Sequence, residues 1–208
     1  MEDNSSVTRA VVIGAHLANT MLLVGALTIN YWLVRGGTLP KNLFKGVFGK
    51  LAFVGLLLML VVGASGAVVA LGDTLFPAES LAHGLEQHLD AQAHFLVKIR
   101  VWHPLLAIST GIYMILIGNW VLQNKPRGLG ANTARAVVGI VLLQLAMGVI
   151  NLYLLVPLWT QMAHLMLANL LWITQVKMWL SVSRDIEIEQ TQKEIDKAAG
   201  FDPVAGKA

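Results

Sequence analysis

Five long apolar stretches, parted by short polar or charged breaks, dominate the chain. They run roughly from Ala10 to Val34, Gly49 to Leu71, Phe95 to Leu122, Ala134 to Val156 and Leu158 to Leu180. An α-helix needs about 20 mostly apolar residues to cross a bilayer, and each stretch is long enough. Between residues 80 and 93 the pattern changes. Leu81, Leu85 and Leu89 recur at every fourth position among polar residues, which predicts a short amphipathic helix lying on the membrane surface. From residue 183 onward the chain is charged, and a short helix fraying into Gly and Pro is expected. The predicted fold is an all-α integral membrane protein built as a bundle of five transmembrane helices. An outer tail spans 1–9, the bundle 10–182 with an outer loop at 73–94, and a cytoplasmic tail 183–208.

Composition agrees with the pattern. Of 208 residues, 56% are hydrophobic and 13% charged, against roughly a quarter charged in soluble domains. Mean hydropathy is +0.65. The net charge of +3 is gathered in particular loops, so it points to topology and not to nucleic acid. Arg35, Lys41, Lys45 and Lys50 fall in the first loop, Lys125, Arg127 and Arg135 in the third, and Arg184, Lys193 and Lys197 in the tail. The second loop has Asp73, Glu79, Glu86 and Asp90 and neither Lys nor Arg. Lys and Arg favour the cytoplasmic side, so the N-terminus is expected outside and the C-terminus inside, in a membrane read as a prokaryotic plasma membrane. The absence of cysteine excludes disulfides and thiolate chemistry. Met1-Glu2-Asp3-Asn4 lacks the basic region of a signal peptide, and the first apolar stretch is expected to remain as a helix.

Candidate chemistry lies in three histidines at membrane depth. His103 follows Arg100-Val101-Trp102 and precedes Pro104; His164 lies near the start of the fifth stretch and His16 near the start of the first. At about 1.5 Å per residue, His103 falls on the order of 12 Å below its helix start and the other two about 9 Å. Ionisable side chains at such depth are functional candidates by default. If the third and fifth helices face each other, His103 and His164 can ligate one metal between them. No Asp or Glu inside the spans completes a zinc or di-iron site, so two imidazoles with apolar walls suit an axially ligated heme. Gly63, Ala64, Ser65, Gly66 and Ala67, with Ala146 and Gly148, would let a flat macrocycle approach, and Arg100 and Lys98 at the rim could pair with its propionates. The structural alternative is that each histidine is an interhelical hydrogen-bonder and the small residues serve plain helix packing. Trp32, Trp102 and Trp159 fit the aromatic belt, and His83, His88 and His94 read as surface residues.

The ordered motifs resemble the heme A synthase family. Gly63-Ala64-Ser65-Gly66-Ala67, running to Gly72-Asp73-Thr74-Leu75-Phe76-Pro77, is similar to the helix and outer-loop entry of one family half. Val97-Lys98-Ile99-Arg100-Val101-Trp102-His103-Pro104 resembles its first ligand helix, Leu143-Gln144-Leu145-Ala146-Met147-Gly148-Val149-Ile150-Asn151 the next helix, and Leu155 to His164 the second ligand helix. His16-Leu17-Ala18-Asn19-Thr20 resembles the last helix of a preceding half. The resemblance implies one heme-binding four-helix unit plus one helix, with His103 and His164 as the axial pair and His16 as a ligand whose partner lies in another half. It implies oxidation of the heme O methyl group to the formyl group of heme A, with heme b as cofactor or heme O as substrate. Implied partners are the lipid bilayer, heme, a membrane quinol or other electron donor, and a second copy of the chain. The family's outer-loop cysteines are absent, and Arg100 stands near where the family carries a catalytic glutamate, which leaves Glu86 as the candidate for that role. The alternative function is a non-catalytic b-type heme module for electron transfer or heme handling. A third reading is a heme-free helix bundle.

Overall fold

The computed structural model describes residues 5–44, 46–125 and 127–199. Lys45, residues 1–4 of the expected outer tail and the Gly- and Pro-bearing residues 200–208 lie outside the described residues. The helices are α1 (Val7–Val34), α2 (Gly46–Leu75), α3 (Leu81–Leu89), α4 (Phe95–Lys98), α5 (Trp102–Asn124), α6 (Leu129–Tyr153) and α7 (Leu158–Ala198). α4, a 3-10 turn over Ile99–Val101 and α5 form one continuous span, and among the described residues five helical spans are long and apolar enough to cross a membrane. The chain is an all-helical integral membrane protein.

Local chemistry sets the boundaries. Ser6 and Ser80 cap α1 and α3, accepting from Arg9 N at 3.2 Å and His83 N at 3.1 Å. The 3-10 turn lies just before Pro104, which has no N–H and crowds the carbonyl four residues back, that of Arg100. α6 starts at Leu129, earlier than its apolar pattern predicts, so Arg135 belongs to a helix and not a loop. α7 runs for 41 residues, well past the expected end near Leu180. No Gly or Pro interrupts it, and Glu189 pairs with Lys193 one turn on at 2.9 Å and with Lys125 at the end of α5.

The α6–α7 connection is tight. Leu155 and Val156 take left-handed φ values of 59° and 58°, a strained state for a β-branched residue. Val156 N donates to Asn151 O at 2.8 Å, Gln161 Nε2 to Val156 O at 2.7 Å and Thr160 Oγ1 to Asn151 Oδ1 at 2.5 Å. These bonds fix where α7 begins, and with it the depth of His164.

α2, α5, α6 and α7 form a closed ring in which each touches the next, and α5 and α7 occupy opposite corners. α1 packs outside the ring, against α2 and α7. The main core fills one half of this ring. Phe48, Ala52, Leu56 and Met59 from α2 meet Met114, Ile117 and Val121 from α5, Val137 and Val141 from α6, and Trp172, Val176 and Met178 from α7. A second small cluster of Ala10, Leu71 and Leu96 packs α1, α2 and α4 together at the opposite end. Between the two, none of residues 60–70, 98–109, 142–159 or 161–170 is buried. Close-packed interiors normally leave few gaps, so this half of the ring is not filled by its own side chains.

Candidate functional site

Both deep ring histidines lie in this unfilled half. His103 stands two residues into α5 and His164 in the second turn of α7, at opposite corners of the ring. Each imidazole lies against a glycine of the neighbouring helix. A Cβ on Gly66 of α2 would come within 2.9 Å of His103 Cε1, and one on Gly148 of α6 within 3.3 Å of His164 Cε1. Only a residue without a side chain leaves room for the ring at Gly66.

The polar backing of the two rings differs. His103 Nδ1 is 3.0 Å from Ser65 Oγ, whose hydroxyl donates to Val62 O at 2.8 Å. Ser65 has one proton. With that proton committed to the carbonyl, the hydroxyl accepts from His103 Nδ1–H, and the Nε2 lone pair remains available to a metal. His164 Nε2 is 3.1 Å from one end of the Gln144 amide; with the amide oxygen at that end it accepts from Nε2–H, and the Nδ1 lone pair stays free for a metal. His164 Nδ1 and the other end of the Gln144 amide are buried with no hydrogen-bond partner. Such orphaned atoms cost about 1–3 kcal/mol each, and this pair borders the unfilled interior.

These features pass the test for a heme. The donor set is two imidazoles from opposite sides, the glycines leave room beside the rings, and the interior between them is not packed. Among the described residues, no three His, Asp or Glu side chains come together as a metal cluster.

The remaining sequence candidates fall elsewhere. His16 is exposed on the outer face of α1, and its carbonyl accepts from Thr20 Oγ1 at 2.9 Å. Glu86 is exposed on α3, away from the ring interior. Arg100 is held on all sides. Its Nε is 2.8 Å from Asp73 Oδ1, Nη2 donates to Gly72 O at 2.9 Å and Phe76 O at 2.5 Å, and Nη1 donates to Gln87 Oε1 at 3.1 Å. The last carbonyls of a helix lack intrahelical partners and favour a cation, so Arg100 caps α2 and ties α3 down over the histidine end. Lys98 Nζ donates to Ala91 O at 2.6 Å. His94 caps α4 through Leu96 N and His83 accepts from Glu79 N, which gives both local structural roles. Sequence reasoning treated Ser65 only as a small residue and assigned Gln144 no role; the signal was a polar side chain inside an apolar span, one turn or less from a glycine facing an imidazole.

The model of the cytochrome oxidase assembly protein family, COX15-CtaA, matches residues 2–176. Two curated relatives, from two strains of Thermus thermophilus, are each 40% identical over 202 residues, and both are named protoheme IX farnesyltransferase. Each match covers 97% of this chain but 32% of the relative, so the chain spans about a third of the length of these relatives. No solved structure matches the chain.

Proposed function

Since the chain belongs to the COX15-CtaA family of cytochrome oxidase assembly proteins, the heme A synthase family, we propose that it acts in heme A formation by holding a heme between His103 and His164. The observation that carries this reading is the pair of imidazoles at opposite corners of a ring whose interior there is unfilled, each seated on a glycine. Ser65 fixes the tautomer of His103, and its free Nε2 would hold the group. Gln144 orients His164. The apolar faces of α2, α5, α6 and α7 exclude water, and the Arg100 cap holds the end of the ring shut with α3. When bound, the heme supplies redox chemistry at iron.

The reaction in this reading is oxidation of the heme O methyl group to the formyl group of heme A, with electrons from a membrane donor. The histidine end faces outward and the basic end faces the cytoplasm, following the positive charges of the first and third loops and the tail. The activity named for the Thermus relatives belongs to proteins about three times longer, and prenyl transfer is not carried over to this third. Coexpression with a source of heme O, followed by pigment extraction, tests the oxidation step. Hydroxylated heme or heme A is the expected product; its absence while heme O is bound leaves the second reading, a heme-holding module without oxidation. A specific observation favours that alternative: Glu86 is exposed on α3 and the charged residue nearest His103 in sequence, Arg100, is consumed by the cap.

A further inference from the structure

Two clefts lie at the end of the ring opposite the histidines. One of them, about 350 Å³, is lined by Tyr31, Trp32 and Arg35 of α1 and its C-terminus, Leu129 of α6, and Lys177 and Arg184 of α7. Lys177 and Arg184 are seven residues apart, two turns along one helix face. Arg35, Lys177 and Arg184 make no ion pair among the described residues. A second positive contribution comes from the backbone. The N-cap of α6 is Gly128, which offers no side chain to the first N–H groups of a 25-residue helix, and those groups carry the positive end of its dipole. The acid nearby is Asp185, whose carboxylate lies beside Gly130 at that helix start. Three cations against one carboxylate leave the cleft in net surplus of positive charge.

The depth also carries information. Trp32 is buried and its indole N–H donates to Thr38 O at 3.1 Å, folding the loop after α1 back over the cleft, while Tyr31 is exposed. Aromatic rings with one polar edge favour the headgroup level of a bilayer. A cleft at that level with three cations and a helix N-terminus has the chemistry of a phosphate receptor, and basic pockets between transmembrane helices take anionic lipid headgroups. We propose that this cleft binds the phosphate of an anionic phospholipid headgroup, with Lys177 and Arg184 as its principal contacts and Arg35 as a third.

The test uses the full chain purified in detergent and examined by native mass spectrometry with added phosphatidylglycerol or phosphatidylcholine. Retention of one phosphatidylglycerol in preference to phosphatidylcholine is expected, reduced by roughly 30-fold when two cations are removed in Lys177→Gln/Arg184→Gln. Arg127→Gln, which removes a cation from the same end but outside the cleft, should retain the lipid, as should Lys177→Arg. Circular dichroism establishes that each variant keeps its helices. A parallel titration with inorganic phosphate separates the sources. Equal retention of both lipids, unchanged retention in the double variant, or binding of free phosphate without phosphatidylglycerol overturns the proposal.

Discussion

The same four helices are built in opposite ways along their length. In the basic half, α2, α5, α6 and α7 all contribute buried apolar side chains to one core. In the histidine half, no residue from 60–70, 98–109, 142–159 or 161–170 is buried, and the polar side chains Ser65, His103, Gln144 and His164 appear instead. One half is packed by its own side chains and the other is not. A sequence specifies structure by local consistency, and departures from it collect at functional sites.

The contrast can be broken first in the packed half. Met178 is fully buried at 0% exposure, and Met178→Ala should cost about 2–5 kcal/mol through the cavity it leaves. Thermal unfolding followed by circular dichroism would show the loss, with heme-binding residues untouched. A variant as stable as the parent would mean that this half is not where stability resides.

Next in size is the difference between the two glycine seats. In Gly66→Ala the new Cβ lies 2.9 Å from the His103 ring, whereas in Gly148→Ala it lies 3.3 Å from His164. The first contact displaces the imidazole and the second needs a shift of a few tenths of an ångström. Gly66→Ala should lose most of its bound heme in a pyridine hemochrome assay and Gly148→Ala should keep most. The reverse order would place the tighter seat on the wrong helix.

The polar partners sharpen the comparison further. Ser65→Ala frees the His103 ring and should weaken heme binding by roughly 10–100-fold. Gln144→Leu removes the orphaned end of the amide but leaves His164 Nε2 without its partner, so the stability of heme-free protein should change by less than about 1 kcal/mol while heme binding falls. Denaturation of heme-free samples checks this; a loss of about 1–3 kcal/mol would show that Gln144 is a structural hydrogen-bonder. The smallest effect belongs to Glu86→Gln. With its side chain exposed on α3, it should leave the heme spectrum unchanged.

Much of this was legible in the residues. The five spans follow from length and hydropathy, because lipid demands continuous helices, and the depth of His103 and His164 follows from rise per residue. What the pattern did not reveal is which helices neighbour each other. The placing of α1 outside the ring leaves His16 on an exposed face, and no periodicity in α1 distinguishes that face from a buried one when both are apolar. Arg100 was read as a rim cation open to propionates; its place in the cap depends on the end of α2 folding back to it, a contact across 28 residues to Gly72. The length of α7 escaped because hydropathy marks where a helix leaves the membrane, not where it ends.

In the proposed function one heme is held by His103 from α5 and His164 from α7. Visible and low-temperature electron paramagnetic resonance spectra of the purified full chain test it directly, alongside His103→Ala and His164→Ala. A six-coordinate low-spin heme is expected in the parent, and its loss in each variant. A low-spin spectrum that persists unchanged in both variants would contradict it.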